Sequence, residues 1–505
     1  MTSLLAALPI LLVLALMLGL RWSASRAGLS GLSTALLLGW LAFAPQLSAA
    51  GQSSAWRAVA GSLAEAGFIS ATILWIIFPA LCIHALQSAN GSLERLREAL
   101  ARVSHDPRLT ALLVAWFFAL FLEGAAGFGT SAALAAPFLV AMGFGKVQAV
   151  SIALIGHSIG VVFGAVGTPV IAQAALTGHE PQALASASVV YQLLAGWLVA
   201  IMLAVCLLRA QPMGPLANLV IWRWTGVAAV SFLLPSAALA WWVGPELPTL
   251  AGAVIGGSLF VLALLWRRQA GHAAGSGQSL GVLLKAAAPY LILIALILAT
   301  RLISPLQSSL SGWQWQWQWG GFRGAVAPLY HPGSLLLLSF LLAAGLQRSR
   351  WNEVVAAMAV AGRRLLPVVV ALLAMLSLSR LMVHAGMIEQ LAQAAAYWAG
   401  GAWPLMVPFV GALGTFVTGS ATASNILLSP FQEATAARLD QPPVPLLGAQ
   451  SYGAALGNMV CPHNIIAAGA VVQMNGREGE VLRQTLPVCL FSASLAGLVA
   501  WLWLW

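Results

Sequence analysis

The sequence has very little charge. Of its 505 residues, 7% are charged and 60% are hydrophobic, whereas a soluble domain carries about 25% charged residues. So few polar side chains cannot cover a globule in water, and we therefore predict a polytopic membrane protein. The net charge of +10 comes from basic residues in short loops, which is typical of membrane topology. No basic stretch alternates with aromatic residues as a nucleic-acid groove requires, so we expect no nucleic-acid partner.

Cysteine and the common catalytic motifs are also scarce. The four cysteines lie in apolar runs and none forms a CxxC pair, which argues against a disulfide or metal framework. The sequence contains no HExxH or P-loop motif, so we expect neither an enzyme nor a cofactor. The stretch GAAGFGTS (124–131) lacks the preceding strand and the lysine of a nucleotide-binding loop.

The chain consists mainly of apolar runs long enough to cross a membrane, which takes about 20 helical residues. No positively charged region precedes the first run, so we expect a spanning helix there rather than a cleaved signal peptide. The runs form two similar halves, 1–225 and 271–505, joined by a two-span connector at 226–270. The predicted single spans are 4–20, 31–49, 66–88, 188–208, 226–244, 247–266, 280–303, 333–347, 366–388 and 485–505.

Two longer runs carry glycine- and hydroxyl-rich interruptions in matching places of the two halves. They read FLEGAAGFGTSAALAAP (121–137) and TFVTGSATASNILLSP (415–430). Lipid cannot pair free backbone groups, so a helix breaks only where protein or a water-filled cavity satisfies them. Paired interruptions of this kind predict a transporter's binding site near the membrane midplane. A second pair of broken runs contains FGAVGTP (163–169) and GNMVCPHN (457–464), where Pro169 and Pro462 are expected to interrupt the helix.

The distribution of basic residues predicts the orientation. If 109–143 is a re-entrant hairpin and the N-terminus is periplasmic, most of the 23 basic residues face the cytoplasm. Each half then crosses five times, so the two halves have opposite orientation. The predicted fold class is an all-α polytopic membrane protein, an inverted repeat with two re-entrant hairpins (109–143 and 403–436) and broken helices (147–177 and 444–474).

One loop, 304–332, has an unusual composition, with SGWQWQWQWGGFRG at its centre. Alternation of Trp and Gln has a period of two, which predicts a short strand or ribbon. Trp prefers the membrane–water boundary, so we expect an extracellular interfacial loop. Carbohydrate stacking on these indoles is the alternative.

The candidate substrate-binding residues combine one intramembrane cation with the two glycine breaks. Arg380 lies well inside an apolar run, where a guanidinium needs a cavity or a partner and suits a carboxylate. The alternatives are a structural ion pair with Glu123 or Glu433, or snorkelling of the side chain to the outer surface. A half-helix that starts after a break offers free N–H groups and a positive dipole end to an anion. The candidates at the breaks are Gly127, Gly129, Thr130, Thr418, Gly419, Ser420, Thr422, Ser424 and Asn425.

The candidate proton-coupling residues are Glu123, His157 and His463. Apolar surroundings disfavour the charged form of a carboxyl group, which suits a residue that takes up and releases a proton. Histidine titrates near neutral pH, although a lone histidine more often has a structural hydrogen bond. Glu123 has a structural alternative too, as an acceptor for free N–H groups in the glycine loop. Glu246, in GPELP, is expected to cap a helix at a connector loop.

These motifs resemble the lactate permease family. The matching stretches are FLEGAAGFGT (121–130), FGAVGTPV (163–170), GPELP (244–248), 418–425 and 457–470. The resemblance implies transport of lactate, glycolate or a related 2-hydroxymonocarboxylate together with protons. The family is also distantly similar to elevator-type anion transporters with two re-entrant hairpins.

The chain departs from the family pattern at the second glycine-rich break and at the broken run that follows it, 444–474. The family often has an Asp after TGS, where this chain has Ala421. The family's K-M-I-S-P-Q is here N-M-V-C-P-H, with Asn458, Cys461 and His463. A carboxylate and a lysine are thus absent, which indicates a lost ion pair, a changed coupling ion or a different substrate.

The sequence therefore predicts a secondary active transporter of the bacterial inner membrane, with a small carboxylate, protons and the lipid bilayer as partners. A sodium-coupled carboxylate transporter that binds the cation with Ser424, Asn425 and backbone carbonyls is the alternative. A membrane-embedded enzyme or scaffold is a third, for which we find no catalytic dyad. The particular acid, its stereochemistry and the presence of a homo-oligomer stay open.

Overall fold

The computed structural model describes residues 2–20, 22–52, 54–101, 103–104, 106–127, 130–212, 214–268, 279–474 and 476–504. Within these residues, eleven helices are long and apolar enough to cross a membrane, or up to twelve if a bent pair counts as one span. The prediction of a helical, polytopic membrane protein is confirmed. Strands occur in the described residues only as one short hairpin.

The first 225 residues begin with three long apolar helices and contain both broken runs of the first half. The helices are α1 (Thr2–Gly19), α2 (Ala24–Leu41), α3 (Ala44–Ala50), α4 (Ala55–Ala89), α5 (Ser92–Ala101), α6 (Pro107–Leu112), α7 (Ala119–Ala125), α8 (Thr130–Ala141), α9 (Lys146–Ser158), α10 (Gly164–Thr177) and α11 (Pro181–Ala210). A π-helical stretch, Leu113–Phe118, joins α6 to α7, and a 3₁₀ stretch, Ile159–Phe163, joins α9 to α10.

The remaining helices follow a similar order, with longer helices before the broken ones. They are α12 (Pro215–Trp242), α13 (Leu250–Arg268), α14 (Leu280–Leu302), α15 (Ser304–Ser311), α16 (Pro332–Leu346), α17 (Trp351–His384), α18 (Met387–Ala399), α19 (Trp403–Thr418), α20 (Ala421–Arg438), α21 (Pro443–Gly457), α22 (Pro462–Val471) and α23 (Glu478–Leu504).

Three predicted boundaries need correction. The run 31–49 is not one straight span, because α2 and α3 meet at an angle of 98°. The run 366–388 is the second part of a 34-residue helix that begins at Trp351. The break in the run 444–474 comes before Pro462: α21 ends at Gly457, and Pro462 lies in the first turn of α22, where its missing N–H removes no hydrogen bond. Sequence reasoning also missed α5 and α18. Each has a polar face, so neither forms the continuous apolar run that was searched for.

Both glycine-rich runs form helix pairs that fold back at the break. After α7 the chain turns at Ala126 and Gly127, and α8 packs against α7 and the π-helical stretch. In the second half α19 ends at Thr418, Gly419 turns in the left-handed conformation, and α20 packs back against α19.

The Trp-rich loop contains the two strands. β1 (Trp315–Trp319) pairs antiparallel with β2 (Phe322–Val326) across a turn at Gly320 and Gly321. The predicted strand is confirmed. Phe322 is buried against Gly61 of α4, and a Cβ on that glycine would lie 2.2 Å from the ring. The hairpin is thereby anchored to α4, while Trp315 and Trp319 of β1 stay exposed.

Candidate functional site

All four helix breaks meet around one cavity. Its volume is about 20 Å³, room for about one water molecule, and it is partly open to solvent. It is lined by Glu123, Gly127, Val161, Gly164, Ala165, Pro169, Gly419, Ser420, Ala421, Thr422 and Asn458. The cavity thus receives residues from both hairpins and from both other broken runs.

The wall contributed by α10 is a left-handed turn. Ala165, Val166 and Gly167 have φ values of 44°, 54° and 78°. Left-handed conformations are costly for residues with a Cβ, and most of all for β-branched ones, so three in succession persist only where the surroundings enforce them. Ala165 also touches the first break, because a Cβ on Gly127 would lie 3.0 Å from that of Ala165. Because of this turn, the start of α10 beside the cavity does not follow the regular backbone hydrogen bonding of a helix.

The second hairpin directs a helix N-terminus at the cavity. Gly419 has a φ of 76° and closes α19 by donating its N–H to Thr415 O at 2.8 Å. Ser420 is the N-cap of α20, and its Oγ accepts a hydrogen bond from the Ala423 N–H at 3.3 Å. The first N–H groups of a helix have no intrahelical acceptors and carry positive dipole charge. Since Ala421 and Thr422 line the cavity, this end of α20 can receive an anion there.

A buried carboxylate also lines the cavity. Glu123 Oε2 accepts a hydrogen bond from Ser131 Oγ at 2.7 Å and lies 4.0 Å from His157 Nε2. Its other oxygen faces α10, where a Cβ on Gly164 would come within 2.6 Å of Oε1. Glycine is therefore required at 164 for this carboxylate to reach the cavity.

His157 connects this carboxylate to the fourth break. Its Nδ1 lies 2.8 Å from the carbonyl of Ala153, so this nitrogen carries a proton and donates it. Nε2 lies 3.1 Å from Asn458 Oδ1 and faces Glu123. Nε2 is thus the ring nitrogen that lies between the Glu123 carboxylate and the Asn458 side chain. The ring is fully buried.

The L-lactate permease family profile matches residues 2–317 and 325–504. The chain belongs to the L-lactate permease family. Permeases are transport proteins, so membership places this chain among membrane transporters.

Curated relatives agree with this assignment. The chain is 29% identical over 381 residues to an L-lactate permease of Streptococcus iniae, which covers 74% of this chain and 79% of that protein. It is 27% identical over 562 residues to the glycolate permease GlcA of Escherichia coli K12, covering 99% and 95%. The YdaH transporter of Alcanivorax borkumensis superposes with a TM-score of 0.50 at 16% identity, covering 88% and 87%, which shows the fold alone.

Several predicted residues of this family member lie at or beside the cavity. Glu123, Gly127, Gly419, Ser420 and Thr422 line it. Thr418 lies directly before the turn and donates its hydroxyl proton to Gly414 O at 2.7 Å. His463 is exposed, and its ring comes within 3.6 Å of the Cβ position of Gly419. Gly129 lies outside the described residues, as does the side chain of Thr130.

Ser424 and Asn425 face the packing between helices instead of the cavity. Ser424 Oγ donates to Gly411 O at 2.9 Å and so joins α20 to α19. Asn425 Nδ2 donates to Pro169 O at 3.1 Å and to Ser451 Oγ at 2.9 Å, joining α20 to α10 and α21. Both side chains are fully buried and hold the second hairpin in place.

Arg380 lies away from the cavity and is paired. Its Nη2 and Nε lie 2.5 and 2.8 Å from Glu65 Oε2, which His384 Nε2 also approaches at 3.0 Å. The ion-pair partner is therefore Glu65 and not Glu123 or Glu433. Arg380 also reaches the carbonyl of Leu176 at 3.4 Å, two turns beyond the cavity along α10, or roughly 10 Å at the helical rise.

Sequence reasoning missed Glu65 and underrated Asn458 and the GPELP loop. Glu65 is a lone carboxylate within an apolar 35-residue helix, and it escaped notice because the predicted span began one residue later. Asn458 was recognised only as a departure from the family pattern. It lines the same cavity as Ala421, so the two departures from the family lie at the same site. Glu246 does not cap a helix, because its carboxylate pairs with Arg301 at 2.6 Å.

Proposed function

We propose that this protein takes up lactate, glycolate or a closely related 2-hydroxymonocarboxylate across the bacterial inner membrane together with a proton. The observation that carries the proposal is the meeting of Glu123 and the N-terminus of α20 on one cavity. A helix N-terminus binds a carboxylate through its free N–H groups. A buried carboxyl group beside a histidine can hold the coupling proton.

The charges of the cavity explain the coupling. When Glu123 is ionised, a carboxylate substrate would add a second negative charge to a small, poorly solvated space, where repulsion between the two is strong. A proton on the Glu123–His157 pair removes this repulsion. Proton and anion therefore favour each other's binding, which is the reciprocal coupling that symport requires.

The substrate's hydroxyl group has partners at the tip of the second hairpin. Ser420 and Thr422 place hydroxyl groups at the cavity wall, next to the N–H groups proposed for the carboxylate. The nearby Thr418 hydroxyl also accepts from the Ser420 N–H at 3.4 Å. Backbone N–H groups would bind the substrate's carboxylate, and these hydroxyl side chains would bind its 2-hydroxyl group. The site would therefore select a 2-hydroxy acid over an acid without that hydroxyl.

Arg380 has a proposed role on the approach to the site. It lies at the C-terminal end of α10, close to the β1–β2 hairpin, whose Arg323 N–H donates to Glu65 Oε1 at 3.3 Å. With the N-terminus periplasmic, this end of α10 faces outward. Arg380 would attract the carboxylate of the incoming substrate, which would replace Glu65 as its partner. The substrate would therefore contact Arg380 before it reaches the cavity.

Movement of the site follows from the proposed domain plan. Residues 1–225 and 271–505 would form inverted repeats joined by the connector 226–270, and the hairpins with the other broken helices would carry the substrate. The fully buried contacts of Asn425 with α10 and α21 support this, because they tie the second hairpin to both broken helices.

Uptake by purified protein in liposomes tests the proposal. An inward proton gradient should drive accumulation of radiolabelled lactate or glycolate, with alkalinisation of the medium. A panel of 2-hydroxy acids and their unsubstituted analogues would define the substrate. Absence of any gradient-driven carboxylate uptake by folded protein would overturn the proposal.

Sodium coupling is the second candidate, and one observation favours it. Asn425 Oδ1 is buried and has no hydrogen-bond partner among the described residues, so an oxygen is available for a cation. The hydroxyl proton of Ser424, however, is donated to Gly411 O. Replacing sodium with choline at fixed pH separates the two candidates, since only a sodium-coupled carrier loses accumulation.

A further inference from the structure

The turn between α12 and α13 is buried among the broken helices of the first half. All residues from Val243 to Thr249 are buried, although a turn between membrane helices is ordinarily at the surface. None of them lines the cavity. We call residues 243–249 the wedge loop.

The wedge loop supports the first-half breaks from behind. Thr249 Oγ1 donates to Gly160 O at 2.7 Å, within the 3₁₀ stretch. A Cβ on Gly167, the last residue of the left-handed turn, would lie 2.4 Å from Pro245 O. A Cβ on Gly124, the neighbour of Glu123, would lie 2.5 Å from the N atom of Leu250, just after the loop. The loop therefore touches both breaks that carry the proposed proton site.

One buried ion pair fixes the wedge loop from its other side. Glu246 Oε1 lies 2.6 Å from Arg301 Nη2, and both side chains are only 7% exposed. Arg301 also donates to Tyr330 O at 3.2 Å, and its guanidinium lies 3.6 Å from the centre of the Tyr330 ring. These contacts tie the loop to α14 and to the segment before α16.

By itself, this ion pair contributes little to the stability of the folded protein. Burial of two charges costs several kcal/mol per ion, and Coulomb attraction offsets that only with complete hydrogen bonding. Glu246 Oε2 and Arg301 Nη1 have no hydrogen-bond partner among the described residues. What the pair does provide is a fixed position for the loop, since Glu246 is its only charged residue.

We propose that Glu246 and Arg301 are positioning residues for the transport site. Their ion pair holds the wedge loop against Gly160 and Gly167, and so sets the left-handed turn of α10 and the separation of Glu123 and His157. Neither residue contacts the substrate. The inference concerns the same site as the proposed function and rests on it for its transport readout.

The test combines hydrogen exchange in detergent with lactate uptake in liposomes, using Glu246→Gln and Arg301→Lys. Both should speed amide exchange across residues 160–170. Both should also raise the KM for proton-driven lactate uptake by about 2- to 30-fold, the range expected for remote coupling energies. Glu389→Gln is the matched control, because it removes the exposed Glu389–Arg438 pair (side chains 47% exposed each), and it should change neither quantity.

Thr249→Val provides a second route if the ion-pair variants do not fold. It removes only the hydrogen bond to Gly160 O and should raise both the exchange rate and the KM. Wild-type exchange and KM in folded Glu246→Gln or Thr249→Val protein would overturn the inference, as would a lower yield with unchanged KM and exchange. Exchange does not depend on transport, so failure of wild-type uptake would refute the proposed function and leave this test intact.

Discussion

Glu123 Oε2 lies 4.0 Å from His157 Nε2 in a fully buried setting, with Ser131 Oγ 2.7 Å from the same carboxylate oxygen. The two residues come from different broken runs and are brought together because α7 packs against α9. At this separation the two groups interact through their charges, although they are too far apart for a direct hydrogen bond. This relationship underlies the first two predictions.

Glu123→Gln should uncouple transport from protons while exchange continues. The amide resembles the protonated acid in shape but cannot release a proton. For one proton per substrate, each pH unit of gradient drives about tenfold accumulation, and the variant should only equilibrate lactate. The measurement is lactate accumulation against pH change in liposomes, with lactate–lactate exchange as the control for folding. Wild-type accumulation by Glu123→Gln would remove this residue from the coupling step.

Gly164→Ala should impair transport by displacing the Glu123 carboxylate. The added Cβ would lie 2.6 Å from Oε1, and such overpacking costs about 1–3 kcal/mol. We expect a lower thermal unfolding temperature and a several-fold lower uptake rate. The matched control is Gly226→Ala in α12, where nothing lies within 4 Å of the new Cβ. Equal behaviour of the two variants would contradict the close approach of Glu123 to α10.

Ser420→Ala should affect both stability and substrate affinity. Loss of an N-cap costs about 1 kcal/mol, and Ser420 also lines the cavity. Ser23→Ala removes a comparable cap, an Oγ that accepts from Arg26 N–H at 3.4 Å, in a helix outside the cavity lining. Both variants should lose similar stability, and only Ser420→Ala should raise the KM for lactate. An unchanged KM would mean that the α20 N-terminus does not bind the substrate.

Arg380 and Glu65 are best tested as a pair. Arg380→Gln alone should be strongly destabilised, by about 3–5 kcal/mol, because it leaves a buried carboxylate without its partner. The double variant Glu65→Gln/Arg380→Gln removes both charges and should recover most of the folded protein. If Arg380 attracts the substrate, the folded double variant should still take up carboxylates more slowly than wild type, with a raised KM. Recovery of wild-type uptake kinetics would leave Arg380 with a structural role only.

Much of the architecture was predictable because it depends on local composition. Apolar length predicts the spanning helices, and the glycine and hydroxyl clusters predict the breaks at Gly127 and Gly419. The alternation of Trp and Gln predicts β1. Elements with a mixed polar face, such as α18, were missed because they are not continuous apolar runs.

The candidate site was only partly predictable. Glu123 and the tips of both hairpins were identified from intramembrane charge and glycine content. The direction of a side chain depends on packing, however. Ser424 and Asn425 therefore carry the right groups but face neighbouring helices. The partner of Arg380 could not be chosen from the sequence, since Glu65 lies more than 300 positions away on another helix.

By itself the sequence determined that this chain folds in lipid, where its helices break and which residues can carry charge there, because these properties depend on hydrophobicity and on backbone hydrogen bonding within each segment. Only the tertiary structure decided that the four breaks enclose one cavity, that Glu123 faces His157, that Arg380 binds Glu65, and that the loop holding Glu246 packs behind the site. Those contacts join residues far apart in the chain, and they form only when whole helices pack against one another.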